Sequence, residues 1–93
     1  MTYRIELTRQ AKRNRTTCFD FLHERNPAGA LAWLSAFEEA VEALLTEPNY
    51  GEAPESVHFD VAIRHKIFKT RFGRPYLILY VVQEDVLYIL HVR

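Results

Sequence analysis

The chain has 93 residues, twelve Lys/Arg against twelve Asp/Glu, and a single cysteine, Cys18. That length fits one domain, residues 1–93, with a real but thin core, and one thiol excludes an internal disulfide. No apolar run approaches the about 20 residues that a membrane span requires. The opening "MTYRIELTRQ" lacks the apolar stretch of a secretory signal. With a lone thiol, these features predict a cytoplasmic protein with no membrane partner.

In chain order, "YRIELT" alternates Tyr3, Ile5 and Leu7 with Arg4 and Glu6, which predicts a short strand with one dry face. Thr8 then suits the cap of a first helix, in which Ala11, Cys18, Phe21 and Leu22 recur at helical spacing. Lys12, Arg13 and Arg15 cover its wetter side. The helix ends near Asn26, which caps a second helix with Pro27 at the first position, where a missing N–H costs nothing. Its apolar stripe runs through Ala30, Trp33 or Leu34, Phe37, Val41, Leu44 and Leu45, with Glu38, Glu39 and Glu42 opposite. So short a joint makes an antiparallel helical hairpin. "TEPNYGEAPES" reads as a loop, broken by Pro48, Gly51 and Pro54.

Three strands follow. In "VAIRHKIF", Val61, Ile63 and Ile67 fall on one face and Arg64 and Lys66 on the other; "KTRFGRP" is a turn. "YLILYVV" and "VLYILHV" are apolar on both faces, as central strands are, and "QED" joins them tightly. The predicted order is strand, helix, helix, strand, strand, strand: an α+β domain with a helical hairpin packed on a mostly antiparallel four-stranded sheet.

The neutral total conceals segregated charge. Residues 1–26 carry six cations and three acids, residues 27–60 seven acids and no Lys or Arg, and residues 61–93 six cations and two acids. Five of those cations, Arg64, Lys66, Lys69, Arg71 and Arg74, lie within twelve residues of one hairpin. Two helices cover one face of a four-stranded sheet, so the second apolar face is expected to be open and rimmed by these cations. Such a patch invites a covering partner, either an acidic peptide or a phosphate backbone.

The segments "YRIELTRQA", "NPAGALAWLSAFEEAVEALLTEPNYG" and "IRHKIFKTRFGRPYLILYVVQEDVLYILHVR", in that order and spacing, resemble the RelE/ParE superfamily of toxins from type II toxin–antitoxin modules, the plasmid stabilisation family. The resemblance spans nearly the whole chain. It implies a βααβββ fold and a toxin that inhibits growth until a cognate antitoxin wraps it in a toxin–antitoxin hetero-oligomer. Two target classes occur. ParE-like members bind DNA gyrase; RelE-like members cleave mRNA on the ribosome with basic and aromatic residues and no metal. Leu77 stands where the family often carries Arg, the chain ends at Arg93 where many members run on, and its charge is neutral where many are basic. These departures favour the ParE-like reading over a RelE-like endoribonuclease. A degenerate, non-toxic member that only binds its antitoxin is a third reading.

The residues keep the enzyme question open. Metal-free RNA cleavage needs a base for the 2′-hydroxyl, an acid for the 5′-oxygen and cations on the phosphoryl oxygens. Lys69, Arg71 and Arg93 supply charge, His65 and His91 titrate near neutrality, and Tyr76 could complete the kit. For binding the antitoxin or the target, the candidates are Arg64, Lys66, Lys69, Arg71 and Arg74, with Tyr76 and Tyr80 as stacking platforms. His65 also reads as a structural histidine, His23 and His58 as surface, Trp33 as core and Cys18 as an inert buried thiol. No metal-ligand spacing, phosphate loop or nucleophile motif appears, so no metal or cofactor is expected.

Overall fold

The computed structural model describes residues 3–48, 62–71 and 73–93. In chain order these form β1 (Arg4–Leu7), α1 (Arg9–Arg25), α2 (Pro27–Thr46), β2 (Arg64–Phe68), β3 (Tyr76–Gln83) and β4 (Val86–Val92). The predicted α+β architecture is the one observed. The strand order is β1-β4-β3-β2. β1 runs parallel to β4, and the β2–β3 and β3–β4 pairs are antiparallel. The first strand of the chain therefore lies beside the last.

Both predicted caps form. The Ala11 N–H donates to Thr8 Oγ1 at 3.1 Å, and the same hydroxyl donates to the Leu90 carbonyl at 3.1 Å, so one side chain starts α1 and fastens it to β4. Asn26 serves two helices. Its N–H donates to the Leu22 carbonyl at 2.7 Å and closes α1, while its Oδ1 accepts from the Gly29 N–H at 3.1 Å and opens α2. With Pro27 next, the hairpin turns on a single residue.

The helices cover one face of the sheet. Ala11, Trp33, Phe37, Ala40 and Leu44 pack against Phe68, Tyr76, Ile78, Tyr80, Leu87, Ile89 and Val92. Four aromatics mesh at one end, with Trp33 edge-on to Tyr76 at 5.5 Å and Phe37 edge-on to Phe68 at 5.7 Å between centroids. The Tyr80 hydroxyl lies inside this layer and donates to the Pro48 carbonyl at 2.7 Å. An irregularity opposite Leu79 and Tyr80 sets His91 against Leu79 but Ile89 against Tyr80, so Leu90 is the extra residue of a bulge. The bulge is what lets Ile89 and Val92 both point at the helices. Beyond it, the Val92 N–H donates to Asn14 Oδ1 at 3.1 Å, a second tie from α1 to β4.

Several expectations change. The far face of the sheet is not bare: Ile63, Leu79 and Val81 are 5%, 7% and 6% exposed and form a second cluster, flanked by Leu77, Tyr88 and Leu90. Ile67, expected on a dry face with Ile63, is 59% exposed, because β2 is an edge strand and its far end lies outside that cluster. Phe21 and Leu45, expected in the helical stripes, are 49% and 37% exposed. Leu22 and Leu44, named in the same stripes one position round, do pack into the core. Val61, His58, Gly51 and most of the predicted loop lie outside the described residues. Among the described residues, no helix is long and apolar enough to cross a membrane.

Candidate functional site

Strand alternation divides the basic hairpin. In β2, Arg64, Lys66 and Phe68 oppose Tyr80, Ile78 and Tyr76, so all three lie on the helix side of the sheet. His65 and Ile67 oppose Leu79 and Leu77 on the far side. The expectation that all five cations rim the far face is therefore corrected. Two of them, half-buried Arg64 and Lys66, share a face with the helices, and Lys69, Arg71 and Arg74 stand exposed in the connection to β3.

The far face gathers a different set. His91 opposes Leu79 from β4 while His65 opposes it from β2, so the two imidazoles flank one leucine. With neighbouring strands about 4.8 Å apart, the backbones that carry them are about 10 Å apart. Arg93 continues the row: its N–H donates to the Leu77 carbonyl at 2.9 Å and its carbonyl accepts from the Leu77 N–H at 2.6 Å. Both histidines are half-buried and Arg93 is exposed. Of the residues named as a cleavage kit, the structure thus brings His65, His91 and Arg93 onto one face and puts Lys69 and Arg71 in the turn at its end. Tyr76 lies on the opposite face, 7% exposed, between Trp33 and Phe68. Tyr80 is fully buried. Neither ring is presented as a platform for a base, because each completes the core.

The turn end of the hairpin forms the wall of a cleft of about 570 Å³. Its other walls come from the corner between α1 and α2, through Phe21, Leu22, Arg25, Asn26, Gly29, Ala32 and Trp33, facing Thr70, Arg71, Gly73, Arg74 and Tyr76. The Arg25 guanidinium lies 3.7 Å from the Phe21 ring centroid and donates to the Phe21 carbonyl at 3.0 Å. The Arg74 guanidinium stands 5.1 Å from the centroid of Tyr76. A Cβ at Gly73 would meet Thr70 Oγ1, so that hydroxyl would have to turn aside. No Asp or Glu lines the cleft among the described residues. The indole Nε1 of Trp33 is buried without a hydrogen-bond partner, an uncommon condition for an N–H donor in a core.

Sequence reasoning missed this cleft and the exposure of Phe21 that helps to build it. An aromatic four residues before an arginine at a helix end was the available signal, because i and i+4 share a helix face. Cys18 is only half-buried. Burial pushes its thiol above the ordinary value, and the positive charge of Arg74 opposes that shift. No group of three or more His, Cys, Asp or Glu suited to a metal occurs among the described residues.

A helical hairpin on one face of a mixed four-stranded sheet, with a basic β2–β3 connection at its end, is an architecture consistent with the RelE/ParE class of small toxins. The family model for the ParE toxin of the type II toxin-antitoxin system, parDE, matches residues 5–93. The chain belongs to this toxin family, and the family implies an antitoxin partner. Comparison with curated proteins and with solved structures finds no match in either.

Proposed function

We propose that this toxin arrests growth by binding DNA gyrase rather than by cutting RNA, and that its cognate antitoxin neutralises it by occupying the basic hairpin. The observation that carries the reading is the match of residues 5–93 to ParE toxins. The distribution of charged and titratable groups supports it. Acid–base cleavage requires its groups to converge within hydrogen-bond reach of one phosphate. Here Tyr76 is separated from His65 and His91 by the thickness of the sheet, and Leu79 stands between the two histidines. A cationic turn such as Lys69, Arg71 and Arg74 needs no such convergence to recognise an acidic surface, and it hastens encounter with one.

The experiment is induction of the chain with and without its antitoxin, with plasmid topology and RNA read from the same culture and gyrase supercoiling assayed with purified protein. The expected result is growth arrest, DNA-damage signalling, inhibited supercoiling and intact messages. Intact supercoiling with cleaved messages on ribosomes would establish the RelE-like endoribonuclease instead, with Lys69→Ala and Arg71→Ala abolishing the cleavage. Folded protein that leaves growth untouched would mark a member that only binds its antitoxin.

A further inference from the structure

The two edges of the sheet differ in charge. β2 forms one edge and carries Arg64, His65 and Lys66 with no acid, a composition that keeps an edge from pairing with a copy of itself. β1 forms the other, where Arg4 and Glu6 alternate with Ile5 and Leu7, and Tyr3 precedes them. The strand order gives β1 a single neighbour, β4. The Arg4 N–H donates to the Asp85 carbonyl at 2.8 Å and the Thr8 N–H to the Ile89 carbonyl at 3.0 Å, so the even-numbered residues direct their main-chain groups at β4. Alternation turns those of Tyr3, Ile5 and Leu7 to the open side. We infer that this edge is a dimer interface, in which β1 pairs antiparallel with β1 of a second copy about a two-fold axis at Ile5.

Charge complementarity selects both the occupant and the register. With Ile5 opposite Ile5, Arg4 of each copy falls opposite Glu6 of the other. The outward main-chain groups make Ile5–Ile5 and Tyr3–Leu7 the hydrogen-bonded pairs. The two Arg–Glu pairs are then the non-hydrogen-bonded ones, whose Cα atoms come closest, about 4.5 Å apart. Opposite charges placed directly across from one another stabilise a strand pair, and like charges destabilise it. The side chains of Arg4 and Glu6 are 69% and 52% exposed, and their mutual contact along the strand is long, at 3.7 Å. Both lie on the far face with Tyr88, while Ile5 and Leu7 lie on the helix side with Leu87 and Ile89. The dimer therefore sets apolar against apolar on one face and cation against acid on the other. A slip of one residue would set Ile5 against Glu6, and a slip of two would set Glu6 against Glu6 or Arg4 against Arg4. Pairing of this isologous kind joins the two four-stranded sheets into one.

An interface of one short strand is small, so the dimer is expected to be weak and to form as concentration rises. The test is sedimentation velocity on the full chain, freed of antitoxin, over a wide concentration range. Arg4→Glu and Glu6→Arg each make both charge pairs repulsive and are expected to weaken association at least about ten-fold. An equimolar mixture of the two variants restores opposite charges at both pairs and is expected to associate as the unaltered chain does. The double variant Arg4→Glu/Glu6→Arg should do the same. Rising salt should narrow the gap between the single variants and the unaltered chain. Circular dichroism checks each fold. Should a variant misfold, amide hydrogen exchange on the unaltered chain decides: protection of Ile5 and Leu7 should rise with protein concentration while that of Arg64–Phe68 stays constant. A chain monomeric at every concentration, association indifferent to both single substitutions, or a mixture that stays monomeric would overturn the proposal. So would protection of Ile5 gained only with antitoxin present, which would assign the edge to an antitoxin strand instead. None of these measurements involves gyrase or RNA, so the result is independent of the toxin's target.

Discussion

The two faces of the sheet are both dry, but they are dry in different ways. The helix-side face holds a continuous layer of helix and strand residues with five aromatics, and Ile78, Tyr80, Leu87 and Ile89 are wholly buried in it. The cluster on the far face has three buried residues, each retaining 5–7% exposure, among flanking histidines and an arginine. One face is where folding free energy concentrates, since burial stabilises in proportion to apolar area removed from water. The other holds only enough apolar contact to keep a strand row of titratable groups in register.

The largest effect expected of that asymmetry is at Trp33. Trp33→Ala should cost about 3–5 kcal/mol in a domain whose whole stability is about 5–15 kcal/mol. Thermal melting should show a steep fall in Tm or loss of the cooperative transition. Trp33→Phe should cost much less, because the indole N–H makes no hydrogen bond that would be lost. The comparison is sharpened next by matched leucines. Leu87→Ala on the helix side and Leu79→Ala on the far side both fall in the range of about 2–5 kcal/mol, with Leu87 expected near the top and Leu79 near the bottom. Equal denaturation midpoint shifts for the two would break the asymmetry.

A smaller effect is expected where α1 is fastened. Thr8→Ala removes the helix cap and the bond to Leu90 together, a loss of about 1–2 kcal/mol, while Thr8→Ser should retain most of both in urea melts. The smallest concerns Cys18. Its folded thiol pKa is raised, so the protonated form favours the fold. The associated stability is present below the ordinary thiol pKa and is lost as pH rises through and beyond it. Cys18→Ala should flatten the decline of stability with alkaline pH, and alkylation of the native thiol at neutral pH should be slower than in denaturant. A stability profile unchanged by Cys18→Ala would remove this contribution.

What the sequence revealed follows from the range of the forces involved. Thr8, Asn26 and Pro27 act within one turn of backbone, so both helices and the joint between them were legible. So were β3 and β4, whose two-faced apolarity requires central positions. Strand order was not, because nothing local in Arg4–Leu7 says that its neighbour lies at Val86–Val92. The bulge at Leu90 and the acceptor role of Asn14 for Val92 arise only once α1 lies across β4. The site suffered from the same limit. Alternation correctly separated Ile63 from Arg64 and Lys66, but which side the helices would choose decided whether those cations faced them. The cleft was illegible because its walls come from segments at least 37 positions apart.

The parallel pairing of β1 with β4 has a consequence for synthesis. Thr8 and Leu90 are 82 positions apart and yet share a hydrogen bond. As the chain emerges from the ribosome, the helical hairpin can form early, since its contacts are local, but β1 has no neighbour until Val86–Val92 appear. A nascent or stalled polypeptide that lacks β4 therefore holds an unpaired β1 and an unfinished sheet, and the fold closes only once Val86–Val92 are available to pair.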